Sequence, residues 1–471
     1  MATISSLGVG SGGLDTKSIV AQLVALEKAP LAGIQLKAAT VNARISAFGQ
    51  IKSLVSTLSD AAGTLSSLTT FNAVTATSSD NTAVTATAIG GTAANSFSVK
   101  VDSLAKAQST ASAALLPVGG ALGAGTLRLQ LGKWTVVPAS FTAQIGVAPV
   151  DITVSATDTV SDIASKINGA GAGVTATVLN DVSGQRLLLR SSGTGENAGF
   201  QLTVPSDADG APADASGLSR LVVGSSIQYA EDARIQINGI AVSSSTNKFA
   251  DVVSGVTLTA VAPSGTAAQV DVSANKNVVT DAVNKFVAAY NKVNDSINDL
   301  TKFEPATKAT GMLQGDSTAI GLQNALRGIL QSTTSGSAYS RLVDIGITQQ
   351  LGGDLEVDGA KLNTALANGD EVKKLFKNDN SNALTNGVAL KFSNFAKGLL
   401  ATDGLFSSKD ASLKRSLDLN AKEQDALNAK VARVEKDLTR RYSALDVQLS
   451  SLNALSTYVT QQVAQWNRPP A

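Results

Sequence analysis

Residues 427–466 read LNAKVARVEKDLTRRYSALDVQLSSLNALSTYVTQQVAQW, and this stretch decides the architecture. Leu427, Val431, Val434, Leu438, Tyr442, Leu445, Leu449, Leu452, Ser456, Val459, Val463 and Trp466 follow one another at spacings of 4, 3, 4, 4, 3, 4, 3, 4, 3, 4 and 3. Only Ser456 is polar, so the stripe is a coiled-coil seam. The repeated spacing of four around Leu438 is a stutter that unwinds the supercoil locally. At 1.5 Å per residue the seam runs about 60 Å. A helix that long cannot bury its stripe against itself and needs a partner.

The partner stripe lies near the other end of the chain. Val41, Ile45, Phe48, Ile51, Val55, Leu58, Ala62 and Leu65 hold one face of a helix through 41–65. Upstream, Asp15 or Thr16 is a plausible N-cap, and Ile19, Leu23 and Leu26 form a shorter stripe. Pro30 is expected to end or kink that first helix, because it lacks the N–H that the helix ladder uses. The two ends should therefore pack together as a stalk, with the middle of the chain inserted between them as lobes at one end.

The middle has a different composition. Only 24 of the 202 residues in 71–272 are charged, against 43 of 199 in 273–471. Thr/Val alternation in 73–88, Phe97–Val99–Val101, Leu127–Leu129–Leu131 and Ile152–Val154 has the period of two of strands. One short helix is expected at 162–168. Hairpins are expected around Ser183-Gly184 and around Asn238-Gly239, and strands at 256–261 and 270–272 close the region. PSDADGAPADASG (205–217) reads as a polar loop. Beyond it, 278–300 reads as a helix, 351–357 as a small hairpin, and 361–367 and 371–376 as short helices.

The fold expected is thus α+β and multidomain: N- and C-terminal helices forming a coiled-coil stalk, with two inserted β-rich domains. Its divisions are a leg segment 1–40, a helical body 41–70 plus 273–425, a β-rich domain 71–108 plus 228–272, an inserted β-rich domain 109–227, and a terminal coil 426–471.

The 471 residues contain no cysteine and no histidine, which excludes disulfides, thiolate or imidazole metal sites and Ser-His-Asp triads. A net charge of +1 argues against a nucleic-acid footprint. The first twenty residues do not read as a signal peptide, and with no run of about 18 apolar residues neither a cleaved leader nor a membrane span is expected. Gly8-Val9-Gly10-Ser11-Gly12-Gly13 has the spacing of a dinucleotide loop but no strand before it. Asp354, Glu356 and Asp358 start like a calcium loop, yet Ala365 stands where the bidentate Glu belongs. Asp207, Asp209 and Asp214 read as loop residues rather than cation ligands. Lys373-Lys374 and Arg440-Arg441 read as solvated helix faces. Tyr458 and Trp466 read equally as seam packing or as an exposed assembly contact. No catalytic, cofactor-binding or metal-binding residue is nominated.

Several blocks resemble the flagellar filament cap family, hook-associated protein 2: residues 5–31 with their Gly-Leu-Asp step and Glu-Lys-Ala-Pro-Leu exit, then 46–58, 233–263, 315–330, 342–348, 352–366, 372–376 and 445–465. Residues 151–178 resemble a repeat found in flagellins and cap proteins, part of a segment placed at 151–204. The resemblance implies an extracellular structural protein at the distal tip of the flagellum. It implies a ring-like homo-oligomer whose partners are flagellin, hook–filament junction proteins and, before type III export, a cytoplasmic chaperone on the C-terminal helix. It further implies retention and folding of arriving flagellin, with adhesion as a second role of some members. On it, Ile19, Leu23, Leu26, Leu445, Leu449, Leu452, Val459 and Val463 are expected in a leg touching the filament. Ile45, Phe48, Ile51, Val55, Leu58, Leu427, Val431, Val434 and Leu438 are expected in the coil of the body. The rival readings are another flagellar axial protein and, far less favoured, a carboxylate-dependent glycan-active enzyme, for which no acid pair is nominated.

Overall fold

The computed structural model describes residues 15–222 and 226–466. Two compact units form: one from the chain up to Phe71 and from Asn277 onward, the other from Asn72–Lys276. The Gly8–Gly13 motif lies outside the described residues.

The helical unit is built on two long helices, Thr16–Leu65 and Leu405–Trp466. Asp15 caps the first, its carboxylate accepting from Ser18 N–H at 2.9 Å. The expected break at Pro30 is absent, and with it any helix boundary between 40 and 41: one helix of 50 residues runs through the proline. A proline inside a helix costs about 3 kcal/mol in an isolated peptide. Here the helix is held along its length by its partner, and Pro30 and Leu26, whose carbonyl loses its donor, both face solvent. The same helix carries an 18-residue window of mean hydropathy 1.3, long and apolar enough by composition to cross a membrane. A count of uninterrupted apolar residues overlooks such a window.

The core of this unit joins Phe48, Ile51, Val55 and Leu58 to helices Lys276–Thr301, Ser317–Gln331, Gly369–Lys377 and Val388–Leu400. Phe392 takes Phe286 and Tyr290 edge-on, at 5.2 and 6.0 Å between ring centroids. The acidic triplet expected near a turn is engaged elsewhere. Asp354 accepts from Asn294 at 2.8 Å, Glu356 from Gln350 at 2.6 Å, and Asp358 caps helix Gly359–Ala365. The hairpin strands there are Ile347–Gln349 and Leu355–Val357.

The second unit is antiparallel β structure around two cores. In one, a five-stranded sheet runs Val74–Ser78, Ala268–Ala274, Asn95–Ser103, Ala233–Ile237, Ile240–Ser244. A three-stranded sheet of Lys248–Val253, Val256–Ala260 and Val84–Ala88 shares its core through Phe97, Val99, Ile235, Phe249 and Leu258. Asn238 and Gly239 both take positive φ, 46° and 82°, as a two-residue hairpin turn of this kind requires.

The other core lies within residues 115–221. The strand Gly125–Val136 pairs with Gly199–Asp207 on one side and with Ala139–Ala143 and Val150–Val154 on the other. Helix Val160–Gly169, capped by Thr159, packs against the hairpin Val174–Asp181/Gly184–Ser191. The expected loop 205–217 begins as strand. Asp207 is buried, and its carboxylate accepts from the backbone N–H of Ser219 at 3.0 Å, so it anchors the returning chain instead of facing a cation.

Candidate filament-contact surface

The two long helices lie antiparallel, as four contacts along them show. Lys409 Nζ sits 5.0 Å from the centroid of the Phe48 ring. Asn420 Nδ2 donates to the carbonyl of Ile34 at 2.9 Å. Lys430 pairs with Glu27 at 2.8 Å. A cleft of about 650 Å³ lies between Val20 and Val24 on one helix and Tyr442 and Val447 on the other.

The seam of the N-terminal helix is therefore Val20, Val24, Glu27, Leu31, Ile34, Ala38, Val41, Ile45 and Phe48, an unbroken 4–3 alternation that crosses Pro30. Val24 and Ile34 are its buried members upstream of the body. The stripe expected there is offset from it: Ile19 and Leu23 are half-buried and Leu26 is 72% exposed. Extending the 41–65 spacing backward would have found the true seam; stopping at the proline hid it.

On the C-terminal helix, Phe406, Leu413, Asn420 and Val431 are buried, while Leu427, Val434 and Leu438 are half-buried. Asn420 was missed because its side chain is polar. Lys409 also pairs with Asp316 at 2.8 Å. Burial pushes the Asp316 carboxyl up, but the Lys409 ammonium and the backbone N–H groups of Ala319 and Thr318 outweigh it and hold it below the usual carboxylate range.

Between Tyr442 and Val447 the C-terminal helix passes the first described residues of its partner, Asp15 and Thr16. The same 4–3 spacing continues, but Leu445, Leu452, Val459 and Val463 are exposed and Leu449 is half-buried. Leu452 is 59% exposed and Trp466 84%. Tyr458 and Trp466 are thus outward-facing rather than packed in a seam. Three of the four residues of the basic pairs have partners on their own helices: Lys374 has Glu371, Lys373 has Asp370 and Arg440 has Asp437. Among the described residues no three His, Cys, Asp or Glu side chains converge as a metal site. What this surface offers chemically is an apolar stripe of about 24 residues, roughly 36 Å of helix, largely without a cover among the described residues.

A long terminal helix pair ending in an apolar exposed stripe, with a β-rich insertion, is the architecture of a structural protein with a surface for association, and similarity to known proteins places it among those of the bacterial flagellum. The family model for the flagellar hook-associated protein 2 C-terminus matches residues 230–454, the one for its N-terminus matches 12–108, and the flagellin hook IN motif matches 140–193. Flagellar hook-associated protein 2 of Escherichia coli K12 is 31% identical over 98% of both chains. The B-type protein of Pseudomonas aeruginosa is 28% identical over 98% of both. The crystal structure of the D1-D2-D3 domains of the E. coli flagellar cap protein covers 78% of this chain and 99% of its own, at 27% identity and a TM-score of 0.58. The chain belongs to the flagellar hook-associated protein 2 family, extracellular structural proteins that cap the distal end of the flagellar filament.

Proposed function

We propose that the open seam at 443–466 is the leg by which this cap grips the filament end. The carrying observation is the exposure of Leu445, Leu452, Val459 and Val463 on one stripe of the C-terminal helix, most of it beyond the described residues of the partner helix. An apolar face of this length in water is an association surface, and Ile19, Leu23 and Leu26 add apolar area at the start of the partner helix. The body coil of Ile45, Phe48, Ile51, Val55 and Leu58 against the 405–438 stretch holds the leg to its base. In this reading several copies form a ring, and flagellin arriving at the tip is retained beneath it and folds there before insertion. Junction proteins and an export chaperone on the C-terminal helix complete the partner set. The two β cores fold as a pair of domains, 71–108 with 228–272 and, inserted in it, 109–227. Their separate apolar clusters support that division.

The test is the double substitution Leu449→Asp, Leu452→Asp in cells, with fractionation of the medium and imaging of flagella. Secreted cap, secreted monomeric flagellin and no long filaments are expected. Filaments of normal length would overturn the leg assignment.

A further inference from the structure

Lys391 and Asp207 are the charged side chains buried among the described residues. Asp207 meets the backbone N–H of Ser219, a donor that suits a carboxylate. Lys391 meets neutral oxygens instead: its Nζ donates to Ser332 Oγ and to the Thr333 carbonyl, both at 2.8 Å. A buried ammonium is ordinarily paired with an acid. Ser332 closes helix Ser317–Gln331, and the carbonyl end of a helix carries partial negative charge. That explains how the ammonium can stand there, but it supplies two oxygens for three N–H bonds and no counter-charge. Burial pushes the Lys391 ammonium below the usual lysine range.

Open space adjoins it. A cleft of about 410 Å³ has Lys391 and Ser332 in its wall, so the ammonium stands at its edge. Ala325, Ile329, Leu384 and Phe395 make the wall largely apolar. Small-molecule sites combine this size and lining with a few convergent polar groups. We propose that this cleft between helices Ser317–Gln331 and Val388–Leu400 binds a small apolar carboxylic acid, its carboxylate on Lys391 and its hydrocarbon body on Ile329, Leu384 and Phe395. One cation calls for a monoanion, and the apolar wall calls for a hydrocarbon body rather than a phosphate ester. The carboxylate takes the third N–H and balances the charge. Leu384, 79% exposed, has the most apolar surface to give to the ligand.

The test uses the full-length chain with 2-naphthoate as the probe, followed by isothermal titration calorimetry. The parent should show saturable binding with a dissociation constant of about 1 mM or tighter. Lys391→Met and Lys391→Gln, which remove the charge, should each weaken binding about tenfold or more while keeping helical circular dichroism. Gly328→Leu should do the same with Lys391 intact, because Gly328 lines the cleft, a Cβ there has open space around it, and the longer side chain fills that space. 2-Naphthalenemethanol, the same ring without the charge, should bind the parent no better than it binds Lys391→Met. Absence of saturable binding to the parent would overturn the proposal. So would equal affinity in parent and variants, or a loss confined to the charge variants or to Gly328→Leu, since the ammonium and the cleft must act together. Probe taken up by the exposed stripe at 443–466 is unchanged by these substitutions, so this site and the leg assignment stand or fall separately.

Discussion

The two halves of the C-terminal helix carry the same apolar spacing and meet opposite fates. From Phe406 to Val431 the stripe is covered by the N-terminal helix and the helical core; from Leu445 to Trp466 it is largely open to water. Nothing in the periodicity separates them. The difference lies in the partner, whose described residues line the cleft between the helices as far as Val447. A seam is thus a demand for cover, and only the length of what lies opposite decides whether the chain meets it alone.

The sharpest way to break this comparison is to place one charge on the enclosed face of the N-terminal partner helix and one in the open half of the C-terminal helix. Val55→Asp puts a carboxylate where the partner's side chain is fully enclosed, and should cost about 4–5 kcal/mol and unfold the helical unit in a urea titration. Val459→Asp, at an exposed position, should change stability by less than about 0.5 kcal/mol in the same titration. Comparable losses at both sites would mean that the distal stripe is covered within the chain. Phe48→Ala removes a core ring that also carries the Lys409 contact, and a loss of about 3–4 kcal/mol is expected by thermal melting.

The legible part of the molecule follows from the same reasoning. Period-two alternation located Asn95–Ser103, Gly125–Val136 and the hairpin at Asn238-Gly239, because those strands bury one face. The terminal seam was legible because it is long. Pro30 misled because propensity was weighed alone, whereas pairing along the helix decides whether a proline is tolerated. Helix Val388–Leu400 escaped notice because Val388, Ala389, Phe392 and Ser393 are buried around more than one face, which blurs the stripe. Strand Ala139–Ala143 was unreadable because it is short and exposed; its tie is Phe141 against Trp134, 5.1 Å between ring centroids. Asn420 shows the limit for the contact surface: a polar residue on a seam looks like a flaw until its acceptor is visible.

Smaller effects sharpen the picture at the base of the pair. Lys409→Ala removes both the Asp316 ion pair and the contact over Phe48, and should cost about 1–2 kcal/mol by urea titration. Because the Asp316 carboxyl is held below its unfolded value, its contribution is complete above about pH 4 and is lost as pH falls through the folded value. With no histidine, stability and oligomeric state should be flat between about pH 5 and 8. A dissociation near pH 6 in light scattering would count against this. Lys430→Ala, at an exposed ion pair, should cost no more than about 0.5 kcal/mol.

The β-rich unit leaves and re-enters the helical one through adjacent strands: Val74 faces Ala274 and Ser78 faces Val270 in continuous antiparallel register. To the helices, roughly 200 residues of insertion are therefore equivalent to a short turn once those strands have zipped. Closing the same gap with a disordered tether would cost about 3 kcal/mol more in chain entropy. The paired first and last strands of the insertion thus act as a clasp. Their pairing sets Val74 beside Ala274 whatever the length of chain between them.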